Sequence, residues 1–129
     1  MFPIRMIAYG FDITDQTKNG AGPNVIVPSV TFDASGADDY LLVFRSWFEV
    51  SPTGNGQLSY QVDSDGWVLI AEYSLNGNFA NTLDINRIIP FGELSSGTHT
   101  ITFGVGRVGG NDVFVRGANI ETEASIWLV

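Results

Sequence analysis

From Tyr40 to Val50 the chain reads Tyr-Leu-Leu-Val-Phe-Arg-Ser-Trp-Phe-Glu-Val, and its two sets of alternate positions differ little in polarity. A β-strand sends successive side chains to opposite faces. The even set, Tyr40, Leu42, Phe44, Ser46, Phe48 and Val50, is almost wholly apolar; the odd set, Leu41, Val43, Arg45, Trp47 and Glu49, is apolar over its first half. A sheet with one wet face alternates apolar with polar residues. This stretch therefore predicts a central strand with the core on one side and a further cover on the other.

The same period of two recurs along the chain. Ile4 to Gly10 reads as a first strand, with residues 1–5 as an N-terminal docking arm, and 12–23 is rich in turn formers and reads as a surface loop. In Asn24 to Asp33, Ile26, Val30 and Phe32 share one face and Val25, Val27 and Thr31 the other; Pro28 places this strand at an edge or at a bulge. Gln57 to Asp63 alternates with Leu58, Tyr60 and Val62 inward, and Ser64-Asp65-Gly66 supplies a hairpin turn. The returning strand, Trp67 to Leu75, puts Trp67, Leu69, Ala71 and Tyr73 on one side. Between Asn78 and Ser96 the pattern is weak, and a short strand or a single helical turn before Pro90 both fit. Thr98 to Val108, with His99, Ile101, Phe103 and Val105 on one face, is followed by strands over 112–121 and 124–129.

Seven or eight antiparallel strands with no amphipathic helix predict an all-β fold, a two-sheet β-sandwich of jelly-roll or immunoglobulin-like topology, in one domain over 1–129. The 129 residues suffice for a real core without staples.

Composition sharpens the inference of a cover. Charged residues make up 16% of the chain, against roughly 25% in ordinary soluble domains, and hydrophobic residues reach 44%, including nine Phe, three Trp and four Tyr. So little charge favours a protein that hides surface in an oligomer. The net charge of −8 repels phosphate backbones and argues against a nucleic-acid partner. No apolar run is long enough for a membrane-spanning helix, and Met1-Phe-Pro-Ile-Arg-Met is not a secretory leader pattern, so synthesis in a cytoplasm is expected. There is no cysteine, hence no disulfide or thiolate metal site.

Two segments carry a resemblance. Leu58-Ser-Tyr-Gln-Val-Asp-Ser-Asp-Gly-Trp67 resembles a hairpin of many β-sandwich domains, an Asp/Gly turn followed by Trp. Ser95-Ser-Gly-Thr-His-Thr-Ile-Thr-Phe103, with Val113 to Arg116 and Ala124 to Val129, resembles the closing strands of C1q/TNF-like jelly rolls, as found in small trimeric structural proteins of tailed-phage virions. The resemblance covers the chain from Leu58 to Val129 and rests on pattern, without a catalytic signature. It implies a jelly roll, a homotrimer, and partners among other virion structural proteins.

Catalytic chemistry is hard to assemble from this chain. His99 is the one histidine, on the face of Ile101 and Phe103; it reads as a packed residue, hydrogen-bonded through one ring nitrogen. Without a second histidine or a cysteine no nucleophile–base triad is evident, and zinc would have only His99 and carboxylates. Asp63-Ser-Asp65-Gly66 resembles the opening of a calcium loop but lacks its closing Glu, so a plain hairpin turn is the better reading. No metal, cofactor or catalytic residue is therefore expected, and the chain reads as non-enzymatic.

The expectation is a structural protein of a phage virion: an oligomeric head decoration or cement protein, or a tail component, localised to the virion. Val43, Phe44, Arg45, Trp47, Trp127 and Val129 are the expected subunit contacts, and Phe2, Pro3, Ile4 and Arg5 the particle-docking residues. The alternative is a carbohydrate-binding module, with Trp67, Tyr73, Asp63 and Asp65 contacting a glycan.

Overall fold

A computed structural model describes residues 4–14, 16–18, 23–50, 55–74, 81–109, 113–116 and 122–129. It contains ten strands and, among the described residues, no helix: β1 (Arg5–Asp12), β2 (Gln16–Lys18), β3 (Asn24–Ala34), β4 (Asp39–Val50), β5 (Asn55–Val62), β6 (Val68–Ser74), β7 (Asn81–Glu93), β8 (Gly97–Gly109), β9 (Val113–Arg116) and β10 (Thr122–Leu128).

Six strands form one antiparallel sheet and four the other, the latter in the order β3-β8-β5-β6. The six occupy four positions. Along one edge of β4, β10 pairs with Tyr40 to Arg45 and β9 with Trp47 to Val50, so the two pieces lie end to end. β1 and β2 do the same against β10 and β9. The other edge of β4 is taken by β7. Counted by position, the first sheet runs first, eighth, third, sixth and the second runs second, seventh, fourth, fifth. This is the jelly-roll order, two interlocked Greek keys, with eight strand positions where seven or eight were expected.

The core lies between the sheets and follows the alternation. On β4, Tyr40, Leu42, Phe44 and Ser46 are buried; on β3, Ile26, Val30, Phe32 and Ala34; on β8, His99, Ile101, Phe103 and Val105. The rings of Phe44 and Phe103 meet across the sandwich with centroids 4.5 Å apart. Ser46 is inside this core, and its hydroxyl shares a 3.0 Å hydrogen bond with that of Thr122, which satisfies both buried groups. Pro28 sits on edge strand β3, where the register with β8 is irregular between Ile26 and Val30, so both of its expected settings hold.

Three expectations are corrected. The loop expected over 12–23 contains β2. The weak stretch before Pro90 is one thirteen-residue strand, β7, which runs through the proline. β7 pairs with β4 alone, and an edge strand tolerates a residue without an N–H. In β6 a bulge opposite Leu58 and Ser59 breaks the phase: Ala71 faces the core beside Leu58, whereas Leu69 pairs with outward Ser59 and is exposed. Trp67 and Leu69 are therefore not on the face of Ala71.

Candidate functional site

The outer faces of the two sheets differ sharply. On the four-stranded sheet, polar side chains are linked to one another: the Thr31 and Thr100 hydroxyls share a 3.0 Å bond, Thr98 donates to Asp33, and Gln57 donates to Glu72. Val25, Val27, Leu69 and the half-buried Trp67 lie among them.

The other outer face is mostly apolar, and the strand register sets its rows. Met6, Trp127, Leu41 and Pro90 stand side by side across β1, β10, β4 and β7. The next row is Tyr9, Ser125, Val43 and Ile88, and the third is Phe11, Glu123, Arg45 and Asn86. Met6, Tyr9, Phe11, Val43 and Ile88 are all exposed, Ile88 at 69%. Several of the polar groups are tied down. Tyr9 donates to Glu123 at 3.0 Å, Trp127 Nε1 donates to the Ser125 hydroxyl at 2.8 Å, and Arg45 pairs with Asp84 at 3.4 Å. The indole nitrogen of Trp47, on the same face, is buried without a hydrogen-bond partner among the described residues.

Four of the expected contact residues thus share this face: Val43, Arg45, Trp47 and Trp127. Phe44 does not. It points into the core at 0% exposure and has no surface to offer a second subunit, because it belongs to the inward set of β4. Val129 is exposed beyond the end of β10, its backbone nitrogen donating to the Asp39 carbonyl. Met6, Tyr9, Phe11 and Ile88 share this face as well; they stand out only once β1 and β7 are laid beside β10 and β4. Of the docking arm, Phe2 and Pro3 lie outside the described residues, Ile4 is exposed, and Arg5 begins β1 opposite Leu128.

The residues expected to hold a sugar are dispersed. Trp67 reaches across β5 to cover Gly104 of β8 on the outer face of the four-stranded sheet. Tyr73 is on β6, and its side chain lies outside the described residues. Asp65 instead lines a recess of about 220 Å³ at the sandwich edge, with Tyr60, Val62, Val68, Phe91 and Leu94. Asp63 is engaged elsewhere.

Asp63 opens the β5–β6 turn in the left-handed region, at φ +53°, a conformation that Asp tolerates better than most residues. Its Oδ1 accepts the Thr100 N–H at 2.8 Å and its Oδ2 accepts His99 Nδ1–H at 2.7 Å. These bonds, Thr100 first and His99 second, hold its carboxyl below the usual carboxylate range. His99 Nε2–H donates to the Ser95 carbonyl at 2.7 Å, so the ring uses both nitrogens, not one. That carbonyl, then Asp63, raises the imidazole above its ordinary value. The group is a charge pair within a hydrogen-bond network; the Ser95 hydroxyl lies 3.5 Å from Nε2, whose proton is given to the Ser95 carbonyl. Among the described residues, no cluster of His, Asp and Glu could hold a metal ion.

No protein-family model matches the chain, and no curated protein matches it in sequence. Solved structures do match in fold. Eiger TNF from S. frugiperda superposes with a TM-score of 0.59 at 10% identity, over 96% of this chain and 92% of that one. The infectious bursal disease virus Gx strain structure gives 0.53 at 13% identity, over 98% of this chain and 32% of that one. The VP2 subviral particle of the same virus gives 0.51 at 13% identity, over 98% and 33%. The chain spans about a third of the length of the two viral chains. At these identities the likeness is one of fold: the jelly roll is shared with a TNF and with a viral particle protein.

Proposed function

We propose that this protein is a non-enzymatic structural subunit of a phage virion, a homotrimeric decoration, cement or tail-associated component that assembles through the outer face of its six-stranded sheet. The single observation that carries the reading is the contrast between the two outer faces. One is wetted by a network of Thr, Gln and acidic side chains; the other shows one row that is apolar across all four strand positions and a second that is apolar but for Ser125. Burying one large side chain of such a face contributes about 1.5–3 kcal/mol, so several together drive association. A surface of this kind on a soluble protein marks an interface.

Assembly by an apolar face also suits the charge. Copies bearing −8 each repel at long range, and two acids on this face, Glu123 and Asp84, are bonded to Tyr9 and Arg45. The trimer and the virion setting draw support from the C1q/TNF-like closing strands and from fold neighbours that include a TNF and a viral particle protein. No catalytic set contradicts a structural role among the described residues.

Light scattering on the purified chain at micromolar concentration tests the proposal. Three chain masses per particle are expected; a stable monomer at that concentration overturns it. Co-purification with assembled virions, followed by identification of the neighbouring protein by cross-linking, tests the virion setting.

A further inference from the structure

We propose that Asp63, His99 and the Ser95 carbonyl form a charge-dependent latch, which holds three turns together at one end of the sandwich while the imidazole is protonated and releases them when it is neutral. The argument starts from donors and acceptors. A carboxylate and a carbonyl can only accept hydrogen bonds, and a neutral imidazole has one N–H to give. Both ring nitrogens of His99 lie 2.7 Å from such acceptors, Nδ1 from Asp63 Oδ2 and Nε2 from Ser95 O. The imidazolium alone satisfies both. On deprotonation a lone pair would face one of these oxygens inside a site where the His99 side chain is only 10% exposed, so that contact must open.

Each partner belongs to a different turn. Asp63 begins the β5–β6 turn and is also tied to β8: its N–H donates to the Thr100 carbonyl and its Oδ1 accepts the Thr100 N–H, each at 2.8 Å. Ser95 lies between β7 and β8. Next to it, Ser96 packs so closely on Gly36 of the β3–β4 turn that a Cβ on Gly36 would stand 3.1 Å from its backbone nitrogen. The recess at the sandwich edge is walled by the same two flanks, Asp65 and Gly66 on one side and Phe91 and Leu94 on the other. Release of His99 therefore loosens the mouth of that recess.

The surroundings set the direction. The β5–β6 turn presents Asp63 and, further off, Asp65, both of which favour the charged ring. From β3 the neighbour is the Phe32 ring, 6.1 Å between centroids, while Asp33 is held by the Thr98 hydroxyl. From β4, the Tyr40 hydroxyl is occupied as acceptor of the Ser35 N–H. The β7–β8 segment presents Ser95, whose hydroxyl lies 3.5 Å from Nε2. Among the described residues, no lysine or arginine is hydrogen-bonded or ion-paired to the cluster.

Nuclear magnetic resonance on the full chain from acid to alkaline pH tests the latch. The expected result is a His99 ring titration with its midpoint above about 6.5, and backbone amides of Ser64, Asp65, Gly66, Ser95 and Ser96 that shift with the same midpoint and exchange faster above it. Asp63→Asn keeps the shape and tolerates the left-handed turn, and it should lower the His99 midpoint while the spectrum stays dispersed. A wild-type midpoint at or below the ordinary imidazole value, or turn amides that ignore the titration, overturns the latch. An Asp63→Asn variant that folds and leaves the midpoint unchanged overturns it too. The wild-type titration decides the matter by itself if the variant does not fold, and it does so whatever the state of assembly.

Discussion

The indole of Trp67 covers Gly104 so closely that a Cβ on that glycine would stand 3.0 Å from both Cζ3 and Cη2 of the ring, and 2.8 Å from Cβ of Pro23. Gly104 lies in the middle of β8 between Val25 and Ser59, so the absence of a side chain there lets the ring lie against the sheet. Gly104→Ala should destabilise the protein by about 1–3 kcal/mol, the usual range for overpacking. Denaturant unfolding followed by tryptophan fluorescence measures both the loss and the displacement of Trp67. An unchanged midpoint would mean that the ring moves aside freely.

The contact between Phe44 and Phe103 joins the two sheets at the centre of the core, both residues being fully buried. Phe44→Ala is expected to cost about 3–5 kcal/mol. Because Phe44 has no outward surface, the folded fraction of that variant should keep the wild-type association state in light scattering.

Ile88 shows the opposite behaviour. Among the described residues it is the most exposed large apolar residue on the six-stranded sheet's outer face, at 69%, and it lies on an edge strand. Ile88→Asp should leave the unfolding midpoint of the single chain within about 0.5 kcal/mol of wild type and weaken self-association by about ten- to a hundredfold, as expected from losing 1.5–3 kcal/mol of burial. Sedimentation at a series of concentrations reads both the mass and the affinity. Wild-type association in this variant would remove Ile88 from the interface.

The charge pair of Asp63 and His99 gives stability a two-sided dependence on pH. The Asp63 carboxyl is held low in the folded chain, so its contribution is complete above the ordinary value near 3.8 and disappears as pH falls through the lowered one. The His99 imidazole is held high, so its contribution is complete below the ordinary value near 6.5 and disappears as pH rises through the raised one. Urea midpoints should therefore peak between these two ordinary values and decline on both sides. In Asp63→Asn the decline on the acid side should flatten, and the alkaline decline, which still begins near 6.5, should be smaller and end at lower pH. A wild-type profile indistinguishable from that of the variant would show that the pair does not govern stability.

Which residues face inward was legible from the sequence wherever a strand is regular. The backbone alone imposes a period of two, so the buried sets of β3, β4 and β8 follow from the alternation of Ile26, Val30 and Phe32, of Tyr40, Leu42 and Phe44, and of Ile101, Phe103 and Val105. An all-β sandwich and a two-sided greasy β4 came from the same rule. Where the rule is interrupted, the sequence marks it only at Pro28 of β3. The bulge that parts Leu69 from Ala71, the passage of β7 through Pro90, and the end-to-end pieces along β4 depend on what each strand pairs with.

The sites divide between these two classes. Phe44 and Val43 are neighbours in sequence and differ only in the direction the pleat sends them, which decides that one is core and the other surface. Met6, Tyr9, Phe11 and Ile88 come from the first and sixth strand positions, and only the sheet order brings them beside Val43 and Trp127. Asp63 and His99 are 36 residues apart, and it is the pairing of β5 with β8 that sets a carboxylate against an imidazole. Local periodicity determines what a strand hides; long-range hydrogen bonding between strands determines which exposed residues become neighbours.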